Sequence, residues 1–360
     1  MNADSSHGMI LWLPGETKGL QDADAFSAEK GALRRKNESG DGTMSLNLTD
    51  VIPMFLAFIV TAVTTGLLIP FLTRNKVDQT EREEGVKSHL KKKGTPTMGG
   101  LAILAGILVV SLIYVWKKPA IGPMLILIFG FGVIGFLDDF LKVVLHRSDG
   151  LIAWQKLILE FVVTGGFLVY LVKVAGVSME MILPFANGKT ISLGWFAIPF
   201  AFIVILATVN GVNFTDGVDG LASTVTIVTA LFFTIVSMKT NGGITSITFA
   251  VVGALMGFLL FNAYPAKIFM GDTGSLALGG FVAGAAYMMR MPLFIPIVGF
   301  IYAFELLSVA MQVSYFKLTH GKRIFKMTPI HHHFELCGWS EVRIVAVFSI
   351  LTALLSFLMI

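Results

Sequence analysis

From residue 51 onward the chain alternates long apolar runs with short polar joints. Ten runs stand out, at about 51–72, 98–116, 121–141, 152–174, 194–210, 220–238, 244–264, 274–290, 292–316 and 342–360. Each approaches the roughly 20 residues that carry a helix across about 30 Å of hydrocarbon. The pattern predicts an all-α polytopic membrane protein with ten transmembrane helices, and residues 44–360 are expected to form one ten-helix catalytic domain. Residues 1–43 hold only a short apolar stretch, Met9 to Leu13, too short for a span or a signal-peptide core. They are read as a polar N-terminal extension, disordered or non-native.

An even number of spans puts both ends on one side and sorts the joints into two sets. The set 73–97, 142–156, 265–273 and 317–343 holds sixteen Lys/Arg; the opposite joints hold six. Cytoplasmic loops carry the excess of positive charge, so the first set is placed inside and both termini are periplasmic or extracellular. The five Lys/Arg of the leader oppose this, but distant charges weigh little. Between the fourth and fifth spans, Met181 to Leu193 reads as a small outer-face hairpin turning at Asn187-Gly188. Gly280 and Gly284 have the spacing of close helix packing.

Composition agrees with a lipid environment: 55% of residues are hydrophobic and 14% charged, against roughly 25% charged in a soluble domain. The single cysteine, Cys337, excludes an internal disulfide framework. The net charge of +4 reads as topogenic, with no nucleic-acid partner.

The polar residues that charge placement does not explain gather at the predicted inner face. Asp138 and Asp139 close the third span, where a helix C-terminus disfavours negative charge. They are candidates for a general base or a metal-side carboxylate. Asn210-Gly-Val-Asn213-Phe-Thr-Asp216-Gly-Val-Asp219-Gly supplies oxygen ligands, amide donors and close backbone approach together, beyond the single acid that capping of the sixth helix needs. Asn262 to Ser275, with Lys267 and Gly271-Asp272-Thr-Gly-Ser, leads into the eighth span. Free amides at such a helix start bind phosphate, and Asp272 is either a cap or a ligand for magnesium, which prefers one or two carboxylates plus phosphate and water.

His331, His332 and His333 lie in the last basic loop. Adjacent residues of a regular element diverge, so phosphate or sugar contact is expected rather than zinc. Gly94-Thr-Pro-Thr97-Met-Gly-Gly, after a lysine run that includes Lys92, offers hydroxyls and amides where the second span begins. Lys92 and Thr97 are taken as substrate contacts. Acids, amides, hydroxyls and cations on one membrane face point to magnesium-assisted phosphoryl transfer between a soluble phosphorylated donor and a lipid phosphate.

At these motifs the sequence resembles the phospho-N-acetylmuramoyl-pentapeptide transferase family, within the polyprenyl-phosphate N-acetylhexosamine-1-phosphate transferase superfamily. The strings Gly94-Thr-Pro-Thr-Met-Gly-Gly, Phe136-Leu-Asp-Asp-Phe, Asn213-Phe-Thr-Asp-Gly-Val-Asp-Gly-Leu-Ala, Phe269-Met-Gly-Asp-Thr-Gly-Ser and His331-His-His-Phe-Glu-Leu match its motifs in order, over about residues 50–360. The resemblance implies transfer of phospho-MurNAc-pentapeptide from UDP-MurNAc-pentapeptide to undecaprenyl phosphate. It implies Mg2+, ten helices, a homodimer, and a bacterial inner membrane location with the site facing the cytoplasm.

Carried over residue by residue, the resemblance makes Asp272 the magnesium ligand, with Asp139 or Asn213 as a second, and Asp138 the base on the lipid phosphate. Asp139 becomes a metal- or diphosphate-side partner. Asn210, Asn213, Asp216, Asp219, Asn262 and Lys267 would line the nucleotide and diphosphate region, the loop of Asp216 and Asp219 would recognise uridine, and His331 to His333 would close the site. The rivals are a sister enzyme using UDP-GlcNAc and a proton-coupled transporter. Glu160 and Glu305, inside the fourth and ninth runs, carry no assigned role. By capping logic, Asp272 and Asp219 have a structural explanation and the pair Asp138–Asp139 has none.

Overall fold

A computed structural model of the chain describes residues 48–75, 77, 94–145 and 150–360. The extension 1–43 and Lys92 lie outside the described residues. The described unit is almost entirely helical: α1 Leu48–Arg74, α2 Gly100–Tyr114, α3 Gly122–Val144, α4 Ala153–Lys173, α5 Ala197–Thr215, α6 Leu221–Thr240, α7 Thr245–Asn262, α8 Gly271–Met288, α9 Ile295–Val298, α10 Phe300–Leu318, α11 Ile330–Leu336 and α12 Glu341–Leu358. Every apolar run carries a helix in the predicted order. Seven of the helices are long and apolar enough to cross a membrane by themselves, and the bent pair Pro292–Val298 and Phe300–Leu318, at 85°, brings the number to eight. The chain is a multi-pass membrane protein. α2 has only 15 residues, about 22 Å of helix at 1.5 Å per residue.

Exposure follows the lipid logic. On α1, Ile52, Phe55, Ile59, Val63, Leu67 and Phe71 recur at helical spacing and are all exposed; hydrocarbon is the solvent that such a stripe needs. α8 is the opposite case. Every residue from Thr273 to Tyr287 is buried, because α3, α5, α2 and α6 surround it. Helix association without a strong hydrophobic drive depends on close backbone approach, and glycine provides it here. A Cβ on Gly135 of α3 would collide with the Asp272 carbonyl, and one on Gly280 would lie 2.6 Å from the Leu127 carbonyl oxygen. Gly280 therefore packs as its spacing predicts. A Cβ on Gly284 would meet only ordinary van der Waals contacts, at 3.5–3.6 Å.

The hairpin is present: β1 Met181–Ile182 pairs antiparallel with β2 Thr190–Ile191, in the register Met181 with Ile191. Asn187 and Gly188 both have positive φ, 49° and 78°, as a tight turn of this hand requires.

Candidate active site

Four helix ends meet at one face of the bundle, from α3, α4, α5 and α8. α3 does not end at its acid pair. It continues to Val144, so Asp138 and Asp139 lie one to two turns inside the helix, each only 3% exposed. The extra turn brings Lys142 beneath Asp138, and Lys142 Nζ lies 2.6 Å from Asp138 Oδ2 and 3.1 Å from Asp272 Oδ2. Lys156, in the first turn of α4, reaches the same Asp272 oxygen at 3.4 Å.

Asp272 accepts a further hydrogen bond, on Oδ1, from Asn213 Nδ2 at 2.8 Å, and the same amide nitrogen lies 2.8 Å from Ser275 Oγ. The carboxyl groups of Asp138 and Asp272 are within hydrogen-bonding reach of one another. Ligand oxygens of Asp138, Asp139 and Asp272 all fall within 4.8 Å.

The capping logic is inverted by the fold. Asp272 caps nothing: it stands second in α8, whose N-cap is Met270, and its side chain turns to Lys142, Lys156 and Asn213. The cap comes from Asp139, whose oxygens accept from Asp272 N at 3.1 Å, Thr273 N at 2.9 Å and Thr273 Oγ1 at 2.7 Å. A carboxylate from a neighbouring helix thus satisfies amides that would otherwise be orphaned, and sits favourably at the positive end of the helix dipole. Asp138 also has structural work, since its Oδ1 accepts from Leu151 N at 2.7 Å.

The loop after α5 completes the arrangement. The Asp216 carboxylate accepts a hydrogen bond from the Gly271 amide. Burial first, and then the negative charges of Asp272, Asp139 and Asp219, push its pKa well above the usual carboxylate range, against the lowering effect of that bond. Asp219 does not cap α6, whose N-cap is Gly220 with no side-chain bond; its Oδ2 accepts from Ala266 N at 2.9 Å.

The phosphate-binding expectation for backbone amides changes accordingly. The α8 amides of Gly271, Asp272 and Thr273 are occupied by the carboxylates of Asp216 and Asp139. Those of Gly99 and Gly100 donate to the carbonyls of Phe269 and Met270, at 2.9 and 2.8 Å. Among the described residues at this end of the bundle, Lys142 and Lys156 supply the positive charge that attracts a phosphate, together with any metal held by the acids.

The other predicted residues divide. Thr97 is buried beside the start of α8, its Oγ1 about 3.0 Å from where a Gly271 Cβ would stand. Asn213 is within the cluster. Asn210, one turn back, turns away and donates to Glu160 Oε2 and to the Leu206 carbonyl, each at 3.0 Å.

Asn262, 3% exposed, donates its Nδ2 to the Ile268 carbonyl and accepts on Oδ1 from Ser223 Oγ, which braces the turn after α7. Lys267 is exposed on that turn. The three histidines lie in the first turn of α11; the rings of His331 and His332 stay in contact, centroids 4.1 Å apart, but each histidine has a different polar partner. His331 is buried on Glu305, His332 Nδ1 lies 2.7 Å from Glu335 Oε2, and His333 Nδ1 accepts from Lys326 N at 3.1 Å.

In the sequence pattern Lys142 and Lys156 stand only as loop cations, yet the fold places both on Asp272. Lys142 had a signal, since it follows Asp138 by four residues on the same helix face. Lys156 had none, because only the tertiary fold brings α4 to α8.

A helical membrane bundle that gathers carboxylates, lysines and amides at one end is suited to handling anionic, phosphate-bearing groups, and comparison with known proteins agrees with that class. Residues 121–290 match the sequence model of Glycosyl transferase family 4. Residues 92–104 match Phospho-N-acetylmuramoyl-pentapeptide-transferase signature 1.

Curated relatives of this chain carry the name phospho-N-acetylmuramoyl-pentapeptide-transferase. One from Acetivibrio thermocellus is 49% identical over 323 residues, covering 88% of this chain and 97% of the relative. One from Clostridium botulinum is 50% identical over 315 residues, 86% and 95% respectively. One from Caldicellulosiruptor bescii is 47% identical over 310 residues, 86% and 96%. The chain belongs to the phospho-N-acetylmuramoyl-pentapeptide-transferase family.

Proposed function

We propose that this protein transfers phospho-MurNAc-pentapeptide from UDP-MurNAc-pentapeptide to undecaprenyl phosphate, giving lipid I and UMP. The carrying observation is the meeting of Asp138, Asp139 and Asp272 with Lys142 and Lys156 at one end of the bundle. Family membership supplies the substrates. The site faces the cytoplasm of a bacterial inner membrane in this reading, with ten spans, both termini outside, residues 44–360 as one catalytic domain and a homodimer as the assembly.

The donor set fits magnesium. Its atoms are hard carboxylate oxygens within 4.8 Å, and two acids in mutual contact call for a proton or a cation between them. Asp272 is the principal ligand, since it is the most exposed of the three acids, with Asn213 steering its carboxylate and Asp139 or Asn213 as second ligand. When bound, magnesium supplies positive charge that stabilises the departing UMP.

The chain's own residues do the rest. Lys142 and Lys156 attract the diphosphate and screen the acids from one another. Asp138 orients the lipid phosphate and takes up its proton, if it carries one, as an oxygen of that phosphate attacks the β-phosphorus. The bond from that phosphorus to the bridging oxygen breaks, and UMP leaves in line. A phosphate monoester is already a competent nucleophile, so a covalent carboxyl-phosphate route gains less. The Asp216–Asp219 loop receives the nucleotide, and Thr97 with His332 and His333 of α11 closes around the donor.

The test is purified protein with magnesium, undecaprenyl phosphate and a panel of UDP-MurNAc-pentapeptide and UDP-GlcNAc, read as UMP formed. Turnover of the muramoyl donor supports the proposal, while turnover of UDP-GlcNAc alone moves the protein to the sister activity. Solute movement in sealed vesicles without UMP would mark a transporter. For the base, the pH–rate profile of Asp138→Asn decides, and an unchanged acidic limb argues against that role.

A further inference from the structure

Glu305 lies in the second turn of α10 and His331 in the first turn of α11, and both side chains are fully buried. Glu305 Oε1 and His331 Nδ1 are 3.1 Å apart. This bond fixes the flip of the imidazole and leaves Nε2 as its leading edge. Among the described residues, neither Glu305 Oε2 nor His331 Nε2 has a hydrogen-bond partner, although both are buried. Burying such atoms unpaired is costly, so a pair kept in this form points to a positional role.

The leading edge of the ring meets Gly217. A Cβ there would overlap His331 Nε2, so the imidazole lies on a bare Cα that only glycine presents. Gly217 follows Asp216, which accepts from the Gly271 amide, and precedes by two residues Asp219, which accepts from Ala266 N. The loop is thus held by α8 and the turn before it on one side, and by the His331 ring on the other.

We propose that Glu305 is a positioning residue for nucleotide binding. It acts through His331 on Gly217, setting the Asp216–Asp219 loop in the conformation that accepts the nucleotide part of the donor. The inference rests on the nucleotide role given to that loop above.

The experiment compares full-length wild type, Glu305→Gln, Glu305→Ala, Gly217→Ala and the Glu305→Ala/Gly217→Ala double variant. It measures kcat, the KM for UDP-MurNAc-pentapeptide, the KM for undecaprenyl phosphate, and UDP binding by calorimetry. Glu305→Ala and Gly217→Ala should each raise the donor KM and weaken UDP binding by roughly tenfold, with the lipid KM unchanged. Glu305→Gln keeps an acceptor oxygen for Nδ1 and should stay close to wild type. The double variant should match the worse single one, because both changes displace the same ring.

A wild-type donor KM in Glu305→Ala overturns the inference. So does a parallel rise in both KM values, which marks general destabilisation, or multiplication of the two effects in the double variant. Should Glu305→Ala not fold, Gly217→Ala carries the same expectation of a donor-only defect. Wild-type protein that binds UDP but releases no UMP defeats the proposed function, and the UDP affinities of the variants still decide the role of Glu305.

Discussion

Asp139 Oδ2 accepts both the backbone amide of Thr273, at 2.9 Å, and its hydroxyl, at 2.7 Å, across 134 residues of sequence. One carboxylate of α3 therefore holds the start of α8, and with it the position of Asp272.

Asp139→Ala should accordingly lower stability and activity together. A helix cap is worth about 1 kcal/mol, and here a hydroxyl is orphaned as well. Thermal unfolding in detergent of Asp139→Ala, Thr273→Val and the double variant should give a coupling of about 0.5–3 kcal/mol. Strict additivity would dissociate the two residues. Asp138→Asn should instead lose turnover with little change in Tm.

Magnesium should stabilise the protein through Asp272. At a concentration near one hundred times Kd, a single-site ligand adds about 2.7 kcal/mol to the folded state. A magnesium titration followed by Tm should show this rise in wild type and not in Asp272→Asn, which should also lose turnover while still inserting in the membrane. An equal rise in both would remove Asp272 as the ligand.

Lys142 and Lys156 face the acids from two different helices, at 3.1 and 3.4 Å from Asp272. Lys142→Met and Lys156→Met should each lower kcat/KM by about 10²-fold, the usual scale for deleting one preorganised charge or donor. Steady-state kinetics with the donor varied would check this, and wild-type kinetics in both variants would reduce the lysines to topogenic charge.

Asp216 predicts a pH dependence. Burial raises its folded pKa above the value in the unfolded chain, so the folded state holds a proton that the unfolded state has released. Stability from this group is complete at acid pH and declines as pH climbs from the ordinary carboxylate range through the raised value. In Asp216→Asn, without divalent cations, Tm should fall less between about pH 5 and pH 8 than in wild type. A parallel decline in both proteins would count against the shift.

Much of this molecule was legible in the sequence because the bilayer is a severe solvent. Apolar runs of span length and the turn at Asn187-Gly188 follow from local periodicity and backbone geometry, which neighbouring residues decide. The motifs also announced which acids and amides matter.

What each of them does was a tertiary matter. Capping logic applied along the chain gave structural roles to Asp272 and Asp219 as caps of their own helices and none to Asp139. The fold reversed this, because a backbone amide donates to whichever carboxylate lies nearest in space, and α3 packs its glycine face closely enough on α8 to bring Asp139 there. Lys156, Glu160 with Asn210, and Glu305 with His331 were hidden for the same reason: each partner lies on another helix, and only the packing of the bundle fixes their separation.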